Sequence, residues 1–263
     1  IFVIFIMFLS KYYADSPSAV APRTAELMNK VELNKSKQIM FSLICSLVFL
    51  IVFCLPLFQL IYWQLSESSI NLLSNINLLI NSSILGFAVG IFTIFFATAL
   101  SLSYRQSNKL KLLLSISTSG YAIPGSVISA GLLIGFDAIF GTSITIYGIF
   151  GLILCLGLRF MTPAYNYSSS SLANISKSSE NALSLIPSNP LKAFIAFYYP
   201  QMRSALFLGF MIVFIESVKE QPATLLLRPV GFDTLSTKIY NFTSEGEWEM
   251  AASPSILLIL SLI

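Results

Sequence analysis

The sequence predicts an all-α fold, a polytopic transmembrane helix bundle. Three observations carry that prediction. Of its 263 residues, 56% are hydrophobic and 10% are charged, against about one-quarter charged in a soluble domain, and the mean hydropathy is +0.80. Several runs carry few or no charges over a length that matches a hydrocarbon layer of roughly 30 Å. Lys and Arg are also unevenly shared between successive connections, the asymmetry that orients membrane helices.

Taken in order, residues 1–9 are apolar but too short to span, and without the basic start and cleavage site of a signal peptide they read as the end of a preceding helix. Residues 10–38 are a polar linker with Lys11, Arg23, Lys30, Lys35 and Lys37, in which Pro17 and Pro22 discourage continuous helix. The run 39–63 is about 37 Å long as a helix and ends at Tyr62 and Trp63, residues suited to the interface. Further spans are expected over 79–103, 112–135 and 144–161, then from about Ser204 to Val218. A last run begins near Pro254 and continues toward Ile263, which reads as the start of a cut helix. About five complete spans result, with truncated helices at both ends.

All of the 15 Lys and Arg except Lys219, Arg228 and Lys238 fall on one side of this arrangement. That side holds the linker, the loop 104–111 and a long polar stretch 162–203, and it is therefore expected to be cytoplasmic. Arg159 is counted there, at the end of the span 144–161. Ser168–Ser171 reads as flexible loop.

Composition also excludes. A net charge of +3 gives no reason to expect a nucleic-acid partner. Cys45, Cys54 and Cys155 lie inside apolar runs and suggest no disulfide framework. With no His, neither a zinc nor a haem site is expected, and no metal site or cofactor is assigned. There is no phosphate-cradling Gly-Lys-Ser/Thr loop, nucleophile elbow or metalloprotease helix, so the chain by itself is not expected to be an enzyme.

Three constellations draw attention. In the long polar stretch, Glu180, Ala182, Leu183 and Leu185 lie close to one helical face, and after Pro187 and Pro190 a second amphipathic stretch runs from Leu191 to Tyr199 and ends at Pro200. Helix, turn, helix is implied. Such an element suits either the groove of a partner protein or the membrane surface.

Glu216, Lys219 and Glu220 stand at the end of an apolar run, where charge is costly unless it faces a bundle interior, a watery path or the interface. Spacings of three and four put Glu216 beside both others on one helix face. An internal ion pair and a lining of the path both fit. Gly120, Tyr121, Pro124 and Gly125 lie within an expected span, where Pro breaks the backbone ladder and Gly admits a neighbouring helix; a kinked gate and tight packing both fit.

The residues Lys219-Glu220-Gln221-Pro222-Ala223-Thr224-Leu225-Leu226-Leu227-Arg228-Pro229, then Gly231-Phe232-Asp233-Thr234-Leu235, then Ser244-Glu245-Gly246 with Ala251-Ala252, resemble the permease subunits of ABC importers, most closely the ferric iron (iron(III)) subfamily. Gly120-Tyr121-Ala122-Ile123-Pro124-Gly125 is similar to the same subfamily. Registered on Pro190 and Pro200, the Glu-Glu-Ala-Ala of the family's coupling loop falls on Glu180, Asn181, Ala182 and Leu183. The loop Gly of the family falls on Pro187, which cannot supply φ > 0, so the turn must be made differently.

The resemblance spans the chain from about residue 40 and implies the type I ABC importer permease fold over residues 39–263, in the inner membrane. It implies a partner ATPase on the 162–203 loop, a periplasmic substrate-binding protein and surrounding lipid; an alternative for residues 1–9 is that they end an earlier, homologous permease half. The cargo implied is ferric iron, with thiamine, polyamine, sulfate or molybdate as alternatives on the same architecture. A secondary transporter using Glu216 and Glu220 as proton or cation sites, and a structural membrane protein, are the readings outside that class.

Overall fold

The computed structural model describes residues 34–66, 75–106, 110–141, 148–184 and 189–262. Every regular element among the described residues is helical. The chain divides into two compact units, Ile1–Tyr62 and Trp63–Ile263. The expected helix end at 1–9 and most of the linker 10–38 lie outside the described residues.

Helix α1 (Lys35–Ser66) starts within the expected linker and contains the whole predicted span 39–63. None of its described residues is buried and it is apolar on all sides, which is the pattern of a helix solvated by hydrocarbon. It carries a wide, π-helical turn at Leu50–Cys54, just ahead of Pro56. Proline lacks an N–H and its ring meets the carbonyl four residues back, so a widened turn lets the helix continue past it.

The second unit is built on three helices that pack on one another: α2 (Ile76–Gln106), α6 (Met161–Ala173) and α8 (Pro190–Lys219). α2 buries a stripe of small residues, Ser82, Gly86, Gly90, Thr93, Ala97 and Ser101, at helical spacing. This is how helices associate in lipid, where close backbone approach replaces the hydrophobic drive. A Cβ on Gly90 would stand 2.6 Å from the Phe210 ring of α8, and one on Gly86 2.8 Å from Phe214.

α1, α2 and α8 are each long and apolar enough to cross a membrane. Two bent pairs reach that length together, α3 (Lys111–Ala122) with α4 (Gly125–Phe140), and α5 (Ile149–Arg159) with α6. Counted so, the expected five spans are present, followed by the shorter apolar helix α11 (Ala252–Leu262).

Three expectations are corrected. The span 112–135 does not run through: the chain turns by 119° between α3 and α4. Ile123 is extended (φ −94°, ψ 132°) because the ring of Pro124 disfavours helical geometry in the residue before it, and Pro124 then precedes the first turn of α4.

The stretch 162–203 is not one loop. Residues 161–173 form α6, inside the core, with Ala164, Ser168 and Leu172 buried at intervals of four. Ser168–Ser171 is therefore helix, and the Ser168 hydroxyl lies 3.4 Å from that of Thr98 on α2. Serines read as loop because of their polarity, whereas here their small size admits a neighbour. At the other end, residues 190–203 are the first turns of α8, so the second amphipathic stretch of the expected hairpin merges into a span. Pro200 is carried by a second wide turn, Phe194–Tyr198, in the same register to its proline as the turn before Pro56.

Arg159 ends a helix as expected, but a second helix follows it at a bend where a loop was expected. Arg159 closes α5, Phe160 leaves helical geometry (φ −93°, ψ 14°), and α6 departs at 55°. Pro163 is the reason, since its ring is set against the carbonyl of Arg159, four residues back.

Candidate functional site

The first candidate is α7 (Lys177–Ser184), in the connection between α6 and α8. Ser176 starts it, its hydroxyl accepting from the Ser179 N–H at 3.2 Å, and Glu180 follows in the first turn, where the helix dipole favours a carboxylate. Arg105, in the last turn of α2, donates through Nε to the Glu180 carboxylate at 2.9 Å. Its Nη2 donates to the Ile175 carbonyl at 2.6 Å and its Nη1 to the Leu172 carbonyl.

One guanidinium thus caps the end of α6 and holds α7 against α2. Hydrogen bonds to a charged group are worth about 1.5–3 kcal/mol each when solvent is restricted. Arg105 was read from sequence only as a loop cation, although its place at the end of an apolar run was the available signal. Asn181 and Ala182 are exposed on α7. Pro187 lies outside the described residues, as does the side chain of Leu183, while Pro190 opens α8, where the side chain of Asn189 accepts from the Leu191 N–H at 3.0 Å.

The second candidate is the charged cluster, which is corrected in its membership. Glu216 and Lys219 pair at 2.7 Å within α8. Glu220 does not join them, because it leaves helical geometry (φ −72°, ψ 121°) as the cap of α8 and turns to Arg159, with Nη2 3.5 Å from Oε2. Arg159 and Glu220 thus meet inside the bundle, although the charge count put Arg159 on one side and Lys219, the neighbour of Glu220, on the other. Their 61 positions of separation gave the sequence no way to show it.

Gly125 lies against both groups: a Cβ there would overlap Glu220 Oε1 and Arg159 Nη1. Gly120 is as close, since a Cβ on it would overlap the Leu158 carbonyl oxygen. The group Gly120, Tyr121, Pro124 and Gly125 therefore combines the kink and the close packing that the sequence had left as alternatives. Tyr121 is half exposed and sets its ring edge-on to Phe160, with centroids 6.4 Å apart.

The segment after Glu220 is knitted to the start of α2. The Glu220 carbonyl accepts from Thr224 in α9 (Pro222–Leu227) at 2.9 Å and from Ser236 at 3.1 Å. Gly231 takes φ 82° in a turn closed by the Phe232 N–H on the Pro229 carbonyl at 3.1 Å, and Arg228 pairs with Asp233. Thr234 and Thr237 form a reciprocal cap at the start of α10 (Leu235–Ser244). From α2, Asn81 donates to the Asp233 carbonyl and Ser82 accepts from the Leu235 N–H, both at 2.9 Å. The residues that made the strongest sequence signature build this scaffold. Among the described residues no cluster of three or more potential metal ligands occurs.

No family model matches the sequence. In structure the chain is similar to the MetNI methionine ABC transporter in an inward-facing conformation, with a TM-score of 0.55 at 16% identity, over 71% of this chain and 88% of that one. The bundle has the ABC importer permease fold. In sequence, the chain is 24% identical over 227 residues to the Fe(3+)-transport system permease protein FbpB 2 of Haemophilus influenzae, covering 82% of this chain and 43% of that protein. It is 30% identical over 121 residues to the ferric transport system permease protein FbpB of Actinobacillus pleuropneumoniae, covering 45% of this chain and 18% of that protein. The chain spans less than half the length of these curated relatives. The relatives are ferric transport permeases, the subfamily to which residues 219–252 pointed.

Proposed function

We infer that this chain is a translocation domain of an ABC importer permease, passing ferric iron across the bacterial inner membrane. The observation that carries the reading is the similarity to a ferric transport permease over 82% of the chain, on a bundle of the matching fold. In this reading ATP is hydrolysed on a separate subunit, a periplasmic protein captures and delivers the iron, and a homologous permease half completes the path.

α7 is the element to be gripped by the ATPase. It stands between the two core helices α6 and α8 and is tied to the third, α2, through Arg105 and Glu180. A push on α7 therefore reaches all three helices at once. The passage itself needs polar groups and no tight site, because cargo must leave as readily as it enters. Iron(III) is a hard cation suited to oxygen donors, so an absence of His is compatible with its passage.

The test is reconstitution of the full-length permease with its ATPase and binding protein in proteoliposomes, measuring uptake of radioactive ferric iron. Uptake should require ATP inside the vesicle and iron-loaded binding protein outside. Uptake driven by an ion gradient without ATP would sink the reading in favour of a secondary transporter.

A further inference from the structure

Three helix breaks meet around one buried ion pair. α3 gives way to α4 at Ile123 and Pro124, α5 to α6 at Phe160, and α8 to α9 at Glu220 and Gln221. Arg159 is the last residue of α5, Glu220 caps α8, and Gly125, the first residue of α4, lies against both. Unwound backbone inside a membrane bundle survives only where protein or a watery cavity satisfies it. In secondary transporters, broken helices gathered at one place form the fixed point around which one bundle rocks against another.

We propose that Arg159 and Glu220 form the latch of the transport path, closed in this conformation and parted during the cycle. The proposal rests on the transport reading above and names the device that holds the three breaks together. Glu220 is the buried partner, with its side chain 9% exposed against 21% for Arg159. The carboxylate also lies at the start of α4, where the helix dipole favours negative charge, and it faces the Ala223 N–H in the first turn of α9. It therefore meets all three breaks, at the end of α5, the start of α4 and the first turn of α9.

The pair is close but incomplete. A fully committed buried Arg–carboxylate pair makes two short parallel hydrogen bonds. Here the closest approach, Nη2 to Oε2, is 3.5 Å, while Arg159 Nε and Nη1 and Glu220 Oε1 are buried without a hydrogen-bond partner among the described residues. Desolvation of both charges then offsets much of their attraction. Water entering the joint would hydrate each group on opening, which lowers the cost of parting them. Glu216 and Lys219 neutralise each other one turn away and do not compete for either partner. Gly125 permits closure, because any side chain there would stand between the two charges.

The experiment uses the complete permease with its ATPase and binding protein in proteoliposomes, recording ATP hydrolysis and ferric iron uptake with and without loaded binding protein. In the double variant Arg159→Gln/Glu220→Gln, which leaves no charge unpaired, ATP hydrolysis without binding protein should rise about fivefold or more and its stimulation by binding protein should disappear. Gly125→Ala should move both rates in the same direction. A double variant that assembles and keeps the wild-type basal and stimulated rates overturns the latch. If the double variant does not assemble, Glu220→Asp decides: it keeps the charge and shortens its reach, so a raised basal rate supports the latch and an unchanged one overturns it. Wild-type complex without ATP-dependent uptake would instead count against the transport reading itself.

Discussion

Arg105 joins Glu180 across 75 positions of sequence, and the same guanidinium donates to the Leu172 carbonyl in the last turn of α6 and to the Ile175 carbonyl just past it. The end of α2, the end of α6 and the start of α7 are thus one hydrogen-bonded unit. A planar fork of five donors can serve three acceptors that a lysine ammonium cannot reach together.

Replacement of Arg105 should therefore release α7 without unfolding the bundle. Arg105→Ala is expected to raise amide hydrogen exchange across residues 175–182 by about tenfold or more, since each lost bond to the charged group costs about 1.5–3 kcal/mol. Arg105→Lys should recover only part of the protection. Unchanged exchange in both variants would show that α7 is held by something else.

Close approach of α2 and α8 at Gly90 has a reciprocal test. Gly90→Val should lower the thermal unfolding midpoint in detergent, with a cost of about 1–3 kcal/mol for overpacking, because its side chain would enter the space of the Phe210 ring. Phe210→Leu in the same chain should return part of the loss. Strictly additive effects would mean the two positions are not in contact.

The serine run gives a third test, by comparison of two neighbours. Ser168 is buried between α6 and α2, whereas Ser170 is exposed on α6. Ser168→Leu should therefore reduce the yield of folded protein on size-exclusion chromatography, and Ser170→Leu should not. Equal tolerance of both would return residues 168–171 to the loop first expected of them.

Much of the fold was legible because the bilayer imposes length and apolarity on whatever crosses it. The runs 39–63 and 79–103 lie inside α1 and α2, and the first half of the expected helix-turn-helix is α7. Errors gathered where polarity and packing part company. Thr162, Asn166 and Ser168–Ser171 are polar enough to read as loop, yet small side chains are what helices in lipid use to approach one another. Of the charged trio, the Glu216 and Lys219 pair was legible as an i,i+3 contact. Glu220 was not, because helical spacing placed it on the face from which the helix end turns it away.

By itself the sequence determined that the chain is a helical membrane bundle, that Pro124 interrupts the backbone hydrogen-bond ladder, and that residues 219–252 resemble ferric permeases. These follow from composition, from the chemistry of one ring, and from a contiguous run of residues. Only the tertiary structure decided that Arg105 serves Glu180, that Arg159 serves Glu220, and that Gly125 must be bare between the last two. Those are contacts between distant segments, created when helix breaks bring groups together that no spacing along the chain relates.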